Sequence, residues 1–292
     1  MRALITGGGG QLAEELLLAA GEHEAVAFPI ERLDICDDAQ VRAALTRVKP
    51  NIVFNAAAYT AVDLAQTHAD LAERINHHAV RVLASACTEF GARLVQVSTD
   101  YVFDGRSGVP YVSTDATNPQ SVYGTSKRDG ELAALQSRDA LVVRTAWLYS
   151  TRGTNFMRTM IRLMQERDEL RVVSDQIGTP THAAGLARAM WDLALTGATG
   201  VHHWTDAGVA SWYEFALAIR DESAAAGFAT ANTNVLPIAS IDYPTAAPRP
   251  AMSVLCKAAT WSALGRTSPH WREGLHDTMI EYARICAEKP TR

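Results

Sequence analysis

Long apolar runs are missing from this chain, and with them any stretch of the ~20 apolar residues needed to span a bilayer. Blocks of like charge are missing too. The 27 basic and 32 acidic residues are interspersed and the net charge is only −5, so neither a nucleic-acid partner nor a membrane surface is indicated. Cysteine is scarce: Cys36, Cys87, Cys256 and Cys286 lie far apart with no C-x-x-C, which points to free thiols in a reducing compartment rather than disulfides or a zinc site. Met1 is followed by Ala3-Leu4-Ile5-Thr6 and then glycines, with neither the charged region nor the apolar region of a secretory signal. The expected location is the cytoplasm. Lysine is rare as well, with four residues at positions 49, 127, 257 and 289, and this scarcity sharpens one later observation.

What is present is core-forming material. With 48% hydrophobic residues over 292 positions, the chain can bury one large core or two smaller ones that share an interface. Short β-rich runs at Arg2–Thr6, Glu24–Phe28, Asn51–Asn55, Arg93–Ser98 and Leu141–Thr145 alternate with helical patterns near Gln11–Ala20, Asp38–Arg47, Leu71–Phe90 and Ser121–Leu135. Such alternation predicts an α/β fold, a Rossmann-type doubly wound parallel sheet with right-handed crossovers. After Tyr149 the order loosens. Helices are expected near Asn155–Asp168, Ala183–Thr196, Ser211–Ala226 and His270–Ala287, with a strand at Leu170–Val173 and a Pro-rich connection over Tyr243–Pro250. The division this suggests is a dinucleotide-binding domain over residues 1–150 and a smaller, mainly substrate-binding lobe over 151–292, some elements of which return to the sheet.

The first strand runs into "GGGGQLAEEL", giving Gly7-x-x-Gly10-x-x-Ala13 at the start of the first helix. Glycines permit the tight turn and the close approach of backbone N–H groups to a pyrophosphate, the helix N-terminus favours an anion, and the small third residue lets helix pack on strand. A flexible turn is the other reading of four successive glycines. About twenty residues on, Asp34 in "ERLDI" is placed to meet the adenosine end of such a cofactor or, alternatively, to cap a helix. "NAAAYT", from Asn55 to Thr60, follows the third strand with small side chains that suit either a ligand or plain packing.

Tyr123 and Lys127 stand four apart in "SVYGTSKRDGEL". With so few lysines, chance rarely produces this pair. On a helix the spacing puts both side chains on one face, where a cation stabilises tyrosinate and depresses a phenol pKa that starts near ~10. A phenol so tuned can donate a proton to a carbonyl that is receiving hydride. The fourth strand ends "VQVSTDYVFDG", so that Thr99 sits at the carboxyl edge where ligands of such sheets bind, its hydroxyl able to hold a substrate oxygen or simply to cap the strand end. Thr99, Tyr123 and Lys127 form the expected catalytic triad.

Taken with "LITGGGGQL", "NAAAYTAVD", "STDYVFDG", "VYGTSKRDGE", "VVRTAWLY", "DQIGTPT", "WYEFA" and "YPTAAPRP", these residues resemble the extended short-chain dehydrogenase/reductases, and more closely the dTDP-4-dehydrorhamnose reductases, from near residue 1 to about 255. The resemblance implies reduction of the C4 ketone of a dTDP-4-keto-6-deoxyhexose by NADPH or NADH, in rhamnose or another deoxysugar pathway; no metal is expected, because the chain departs at Ala184 from the metal site that some relatives build. It implies cofactor contacts from Gly7, Gly10, Gln11, Leu12, Asp34, Ile35, Ala57, Ala58, Tyr59, Thr60, Val97, Tyr123 and Lys127. Substrate contacts would come from Thr99, Asp100, Tyr101, Trp147 and Arg249, the guanidinium fork of the last suiting either a clamp on the diphosphate or a place facing solvent. NADP(H) is slightly preferred: the second strand ends at Phe28-Pro29 without an acid for a 2′-hydroxyl, and Arg32 lies near.

The chain departs from the family pattern in places. It has Leu64 and Gln66 where relatives carry Lys and Glu in "AVDKAE", Met252 where "RPxNSxL" has an amide, and Ala184 at one position of a metal site that some relatives build together with the residue matching Glu15. These leave open the sugar and whether the chain is a monomer or a homodimer. The same superfamily holds nucleotide-sugar epimerases and dehydratases, the latter with a Glu where this chain has Tyr101, and non-catalytic relatives such as the β subunit of methionine adenosyltransferase. The adjacent pairs His77-His78 and His202-His203 are expected to point apart, and "RSGVP" (106–110) to form a turn.

Overall fold

The structure, a computed structural model, describes residues 1–288. Five parallel strands, β1 (Arg2–Thr6), β2 (Glu24–Phe28), β3 (Ile52–Asn55), β4 (Arg93–Thr99) and β5 (Leu141–Thr145), are joined by a sixth, Gly200–His203. Read across the sheet, the order is β2, β1, β3, β4, β5 and Gly200–His203. The order reverses between β1 and β3, and at such a switch point the loops leaving the carboxyl ends diverge and open a crevice.

Strands buried on both faces lack a polar side, which is why β1, β3 and β5 read as short continuous apolar runs. One face is covered by α1 (Gln11–Leu18) and the helix Ala183–Leu195, whose Trp191 donates from its indole N–H to Leu16 O. The other is covered by α2 (Asp38–Val48), α5 (Ala79–Phe90) and α6 (Val122–Ala134), with two short helices, α3 (Val62–Ala65) and α4 (Ala69–Glu73), preceding α5. Asp37 caps α2 by accepting from Ala39 N and Gln40 N, so the helix-cap role considered for Asp34 belongs to its neighbour three residues on.

The expected helix over Leu71–Phe90 is interrupted by a π turn at Arg74–His78. Winding an extra residue into one turn changes the angular spacing of successive side chains. His77 and His78 therefore do not point apart: their rings stack with centroids 4.7 Å apart. His202 and His203 do separate, on opposite faces of the sixth strand, His203 being fully buried. That strand was missed because "GVHH" is brief and half polar; its identity comes from pairing with β5.

Elements after residue 150 thus serve both regions. Ala183–Leu195 and Gly200–His203 complete the sheet layer, while Phe156–Glu166, Trp212–Ala225 and Trp271–Glu288 pack around a parallel strand pair, Glu169–Val173 with Asn234–Ile238, in a separate apolar cluster. The helix Phe156–Glu166 buries Met157, Met160, Ile161 and Met164, the one-face spacing of an amphipathic helix. Trp212–Ala225 begins with a capping box, in which Ser211 accepts from Glu214 N and the Glu214 carboxylate accepts from Ser211 N at 2.7 Å. Among the described residues, no helix is long and apolar enough to cross a membrane.

Candidate active site

A cleft of about 770 Å³ lies over the carboxyl ends of the central strands. At its floor the glycine loop is held tight. Gly7 has φ 73°, and a Cβ there would stand 2.9 Å from the Ala57 backbone; on Gly8 it would stand 2.8 Å from Phe28 C. Only glycine lets β1, β2 and the segment after β3 approach so closely. Gly10 caps α1 without a side-chain hydrogen bond, which leaves first-turn N–H groups facing the cleft, the arrangement that attracts a phosphate.

The strand ends are locked by a buried polar chain. Thr6 Oγ1 donates to Asn55 Oδ1 at 2.5 Å, and Asn55 Nδ2 donates to Gln96 Oε1 at 2.7 Å, tying β1, β3 and β4 together just below the cleft. Ser98 Oγ, Asp100 Oδ2 and Thr145 Oγ1 line the same cleft, buried and without hydrogen-bond partners within the protein. Orphaned buried polar atoms are uncommon and mark a surface built to meet a ligand.

Asp34 and Ile35, which follow β2, border the end of the cleft away from β4, and Gly7, Gly10, Gln11 and Leu12, which follow β1, come next along it. Asp34 holds its own turn by accepting from Cys36 N at 2.9 Å. Ala57, Ala58, Thr60 and Val97 border the middle. Tyr59 does not line the cleft. Its hydroxyl meets His68 Nδ1 at 3.1 Å, and its ring packs with Ala65 and Ala72 behind Tyr123, because Asn76 Oδ1 accepts from Tyr59 N and turns the backbone outward.

Thr99, Tyr123 and Lys127 converge at the other end. Thr99 performs two tasks: its hydroxyl accepts from Tyr101 N, capping the short turn that follows, and donates to Asp100 Oδ1 at 3.0 Å, beside the Tyr123 phenol. Burial pushes that phenol up to about 12, with the neighbouring Thr99 hydroxyl pulling the other way. The depression anticipated from the Tyr-Lys spacing is therefore not what the free protein presents. Lys127 Nζ donates to Val97 O at 2.7 Å, and burial lowers Lys127 to about 8 against the opposing charge of Glu131. Asp100 is raised to about 6 by burial, with the Ser253 and Thr99 hydroxyls opposing it.

The close seating of α6 has its own requirements. A Cβ on Gly124 would lie 2.3 Å from Tyr101 O, and one on Gly130 would lie 2.0 Å from Asn76 O. Asn76, placed by the π turn, also donates to Ser126 Oγ and Tyr59 O, so one buried amide joins α6 to the segment after β3. Gln66 accepts from Val122 N at 2.8 Å, securing the first turn of α6 through a neutral amide.

Trp147 adopts φ 48°, a left-handed conformation costing about 1–2 kcal/mol for a residue with a Cβ. Its indole stacks on Trp212 with centroids 3.6 Å apart and planes 8° apart, and it covers Gly178 so closely that a Cβ there would clash. Beyond the pair opens a second cavity of about 910 Å³, which shares Val62, Tyr101 and Trp212 with the first. Arg249 lines this second cavity and not the first, ion-paired with Asp63. Trp212, Asn76 and the Thr6-Asn55-Gln96 chain escaped the sequence reading. Asn76 had no visible cue, whereas Trp212 lay within the quoted "WYEFA" and drew no role because only the fold stacks it on Trp147.

The family profile described as "RmlD substrate binding domain" matches residues 1–284. The chain is 39% identical to a dTDP-4-dehydrorhamnose reductase of Aggregatibacter actinomycetemcomitans, over 94% of this chain and 97% of that one. It is 42% identical to a dTDP-4-keto-6-deoxy-D-glucose reductase of Streptomyces niveus, over 74% and 76% of the two chains. A crystal structure of dTDP-4-dehydrorhamnose reductase from Bacillus anthracis in complex with NADP superposes with a TM-score of 0.90 at 38% identity, covering 96% of this chain and 99% of that one.

Proposed function

Because this chain belongs to the dTDP-4-dehydrorhamnose reductase family, we propose that it reduces the C4 ketone of a dTDP-4-keto-6-deoxyhexose at the expense of NADPH. The observation that carries the reading is the convergence of Thr99, a buried Tyr123 phenol and a buried Lys127 ammonium at one end of a glycine-floored cleft. The residues suit a dinucleotide: the close-packed glycines and open first turn of α1 fit a pyrophosphate, and the orphaned Ser98 and Thr145 hydroxyls offer hydrogen bonds nearby.

A bound reduced nicotinamide supplies the hydride. The chain's own residues do the rest. Thr99 and Tyr123 hold the ketone oxygen by hydrogen bonds, which fixes the carbonyl face presented. As charge grows on that oxygen, Tyr123 gives up its proton; an alkoxide is more basic than a phenolate, so a phenol near 12 remains a competent donor while staying protonated at neutral pH. Lys127, four residues on, stabilises the phenolate left behind. Trp147 and Trp212 wall off the sugar side, and Asp100 and Tyr101 border it. Tyr101 bears on water elimination: burial raises its phenol, which makes a poor substitute for a catalytic carboxylate, and simple ketone reduction is favoured over dehydration.

Preference for NADPH is supported by Arg32, whose guanidinium stands 4.5 Å over the Phe28 ring at the end of β2, where no acid is present to receive a 2′-hydroxyl. Hydride and proton transfer require no metal, and none is assigned. The reading places the protein in the cytoplasm as a monomer or homodimer, without a nucleic-acid partner. The test is to mix purified protein with NADPH and a set of dTDP-4-keto-6-deoxysugars and follow cofactor oxidation. Oxidation with at least one sugar supports reduction, and none with any would favour a binding homologue.

A further inference from the structure

The segment from Ser240 to Met252 crosses the mouth of the second cavity as a strap. It is fastened at one end, where Ser240 N and Oγ donate to the Asp175 carboxylate, and at the other, where Met252 N donates to Gly105 O and Pro250 fills the space beside Gly105. Between these points residues 241–246 are exposed, and Ala247 is the first residue to be buried. One side chain holds this middle stretch. Asp63, on the short helix α3 more than 180 residues earlier, accepts from Ala247 N at 3.0 Å through Oδ1 and from Arg249 Nη2 at 2.5 Å through Oδ2.

A carboxylate that uses one oxygen on the backbone and the other on a guanidinium fixes both the strap's path and the orientation of the fork. Arg249 is mostly buried, with its side chain 19% exposed, and its guanidinium carbon lies 6.0 Å from the centroid of the Tyr101 ring. Nη2 is taken by Asp63. Nη1 is buried and has no partner. A buried, unpaired guanidinium nitrogen is costly to desolvate, and it lines a cavity that adjoins the proton-donating end of the cleft through Tyr101.

We infer that Asp63 is a positioning residue for substrate: by engaging one nitrogen of Arg249 and the Ala247 amide, it aims the other nitrogen at an anionic oxygen of the substrate's diphosphate. This rests on the reading of the chain as a nucleotide-sugar reductase and goes beyond it by assigning Asp63, which contacts no reacting atom, to diphosphate recognition. A planar fork presents its donors in fixed directions, so holding one nitrogen sets the other. Asp63 acts through Arg249 alone, and its own charge, close to the phosphates, opposes binding whenever Arg249 is absent.

The test is a double-mutant cycle on dTDP binding, measured by calorimetry on the full chain, with thymidine as the probe that lacks phosphates. Arg249→Ala and Asp63→Ala are each expected to weaken dTDP by about tenfold while thymidine affinity stays within about twofold. In the Arg249→Ala background, Asp63→Ala should cost nothing further. Asp63→Asn keeps an acceptor for Ala247 N but loses the ion pair, and is expected to weaken dTDP as well. NADPH affinity, read by fluorescence, should match wild type in all four and so reports folding. An unchanged or tighter dTDP affinity in Asp63→Ala, or an equal further loss in the Arg249→Ala background, would overturn the assignment. Because dTDP binding needs no turnover, a wild type that binds dTDP yet reduces no ketone would sink the reductase reading while leaving this one to stand on its own result.

Discussion

Lys127 Nζ donates to the Val97 carbonyl at 2.7 Å, from a helix position four residues beyond Tyr123. The bond anchors the ammonium to the end of β4, the strand that also delivers Thr99, so the three groups proposed to act on the ketone are set by one strand end and one helix face. It also keeps a buried cation hydrogen-bonded, which its desolvation demands.

A pH profile follows from the burial of these groups. Lys127, lowered to about 8, carries its charge below that value and loses it above, while Asp100, raised to about 6, is ionised only above that. Tyr123, pushed up to about 12, keeps its proton throughout. The profile of kcat/KM, which reports the free enzyme, is expected to fall on the alkaline side near 8, as Lys127 loses its charge. A flat alkaline side up to about pH 10 would contradict the role given to Lys127.

Gly130 permits the contact between α6 and the π turn that carries Asn76. Since a Cβ would come within 2.0 Å of a backbone oxygen, Gly130→Ala must push α6 outward. The expected cost is about 1–3 kcal/mol of stability or more, together with a loss of kcat. Gly185, in the helix Ala183–Leu195, has its nearest neighbour at 3.6 Å, and Gly185→Ala should stabilise by about 0.5–1 kcal/mol. Thermal unfolding of the two variants separates the cases.

Asp206 is buried beside the start of the helix Ala183–Leu195, accepting from His182 N at 3.0 Å through Oδ2 while Oδ1 has no partner. Burial raises it to about 7 from 3.8. A raised carboxyl contributes stability that is complete at low pH and is lost as pH climbs through the folded value, here between about 4 and 7. Asp206→Asn keeps the acceptor and removes the titration. Denaturant unfolding should find the variant similar to wild type near pH 4 and more stable at pH 8, by on the order of a few kcal/mol. Equal pH dependence of the two proteins would show that Asp206 stays ionised throughout.

Arg32 bears on cofactor choice. Arg32→Ala is expected to raise KM for NADPH by about tenfold and to leave KM for NADH within about twofold, because only the phosphate at the 2′ position needs the guanidinium. Equal loss with both cofactors would remove Arg32 from that role.

The sheet was legible because β1 to β5 are apolar runs punctuated by Gly, Pro and Asp, and because helices between them bury one face each. Thr99, Tyr123 and Lys127 drew notice because lysine is rare and the Tyr-Lys spacing puts both side chains on one helix face, and the structure brings all three into one cleft. What escaped depends on contacts between distant segments. The strand Gly200–His203 is defined by pairing with β5; the π turn at Arg74–His78 belongs with a buried amide whose partners are Tyr59 and Ser126. The direction of the Tyr123 shift was misjudged from local spacing alone, since the spacing shows the cation and conceals the desolvation. Arg249 was assigned to phosphate with no sign of Asp63, which lies on another part of the chain.

The central claim is proton donation by Tyr123 to a sugar ketone, and its most direct test compares wild type with Tyr123→Phe in a single-turnover reaction of NADPH with a dTDP-4-keto-6-deoxyhexose, NADPH affinity being measured in parallel. Wild type is expected to oxidise one NADPH per ketone reduced, and the variant to react roughly 10²–10⁴-fold more slowly while binding NADPH within about twofold of wild type. A variant that reduces the ketone at the wild-type rate would contradict the account.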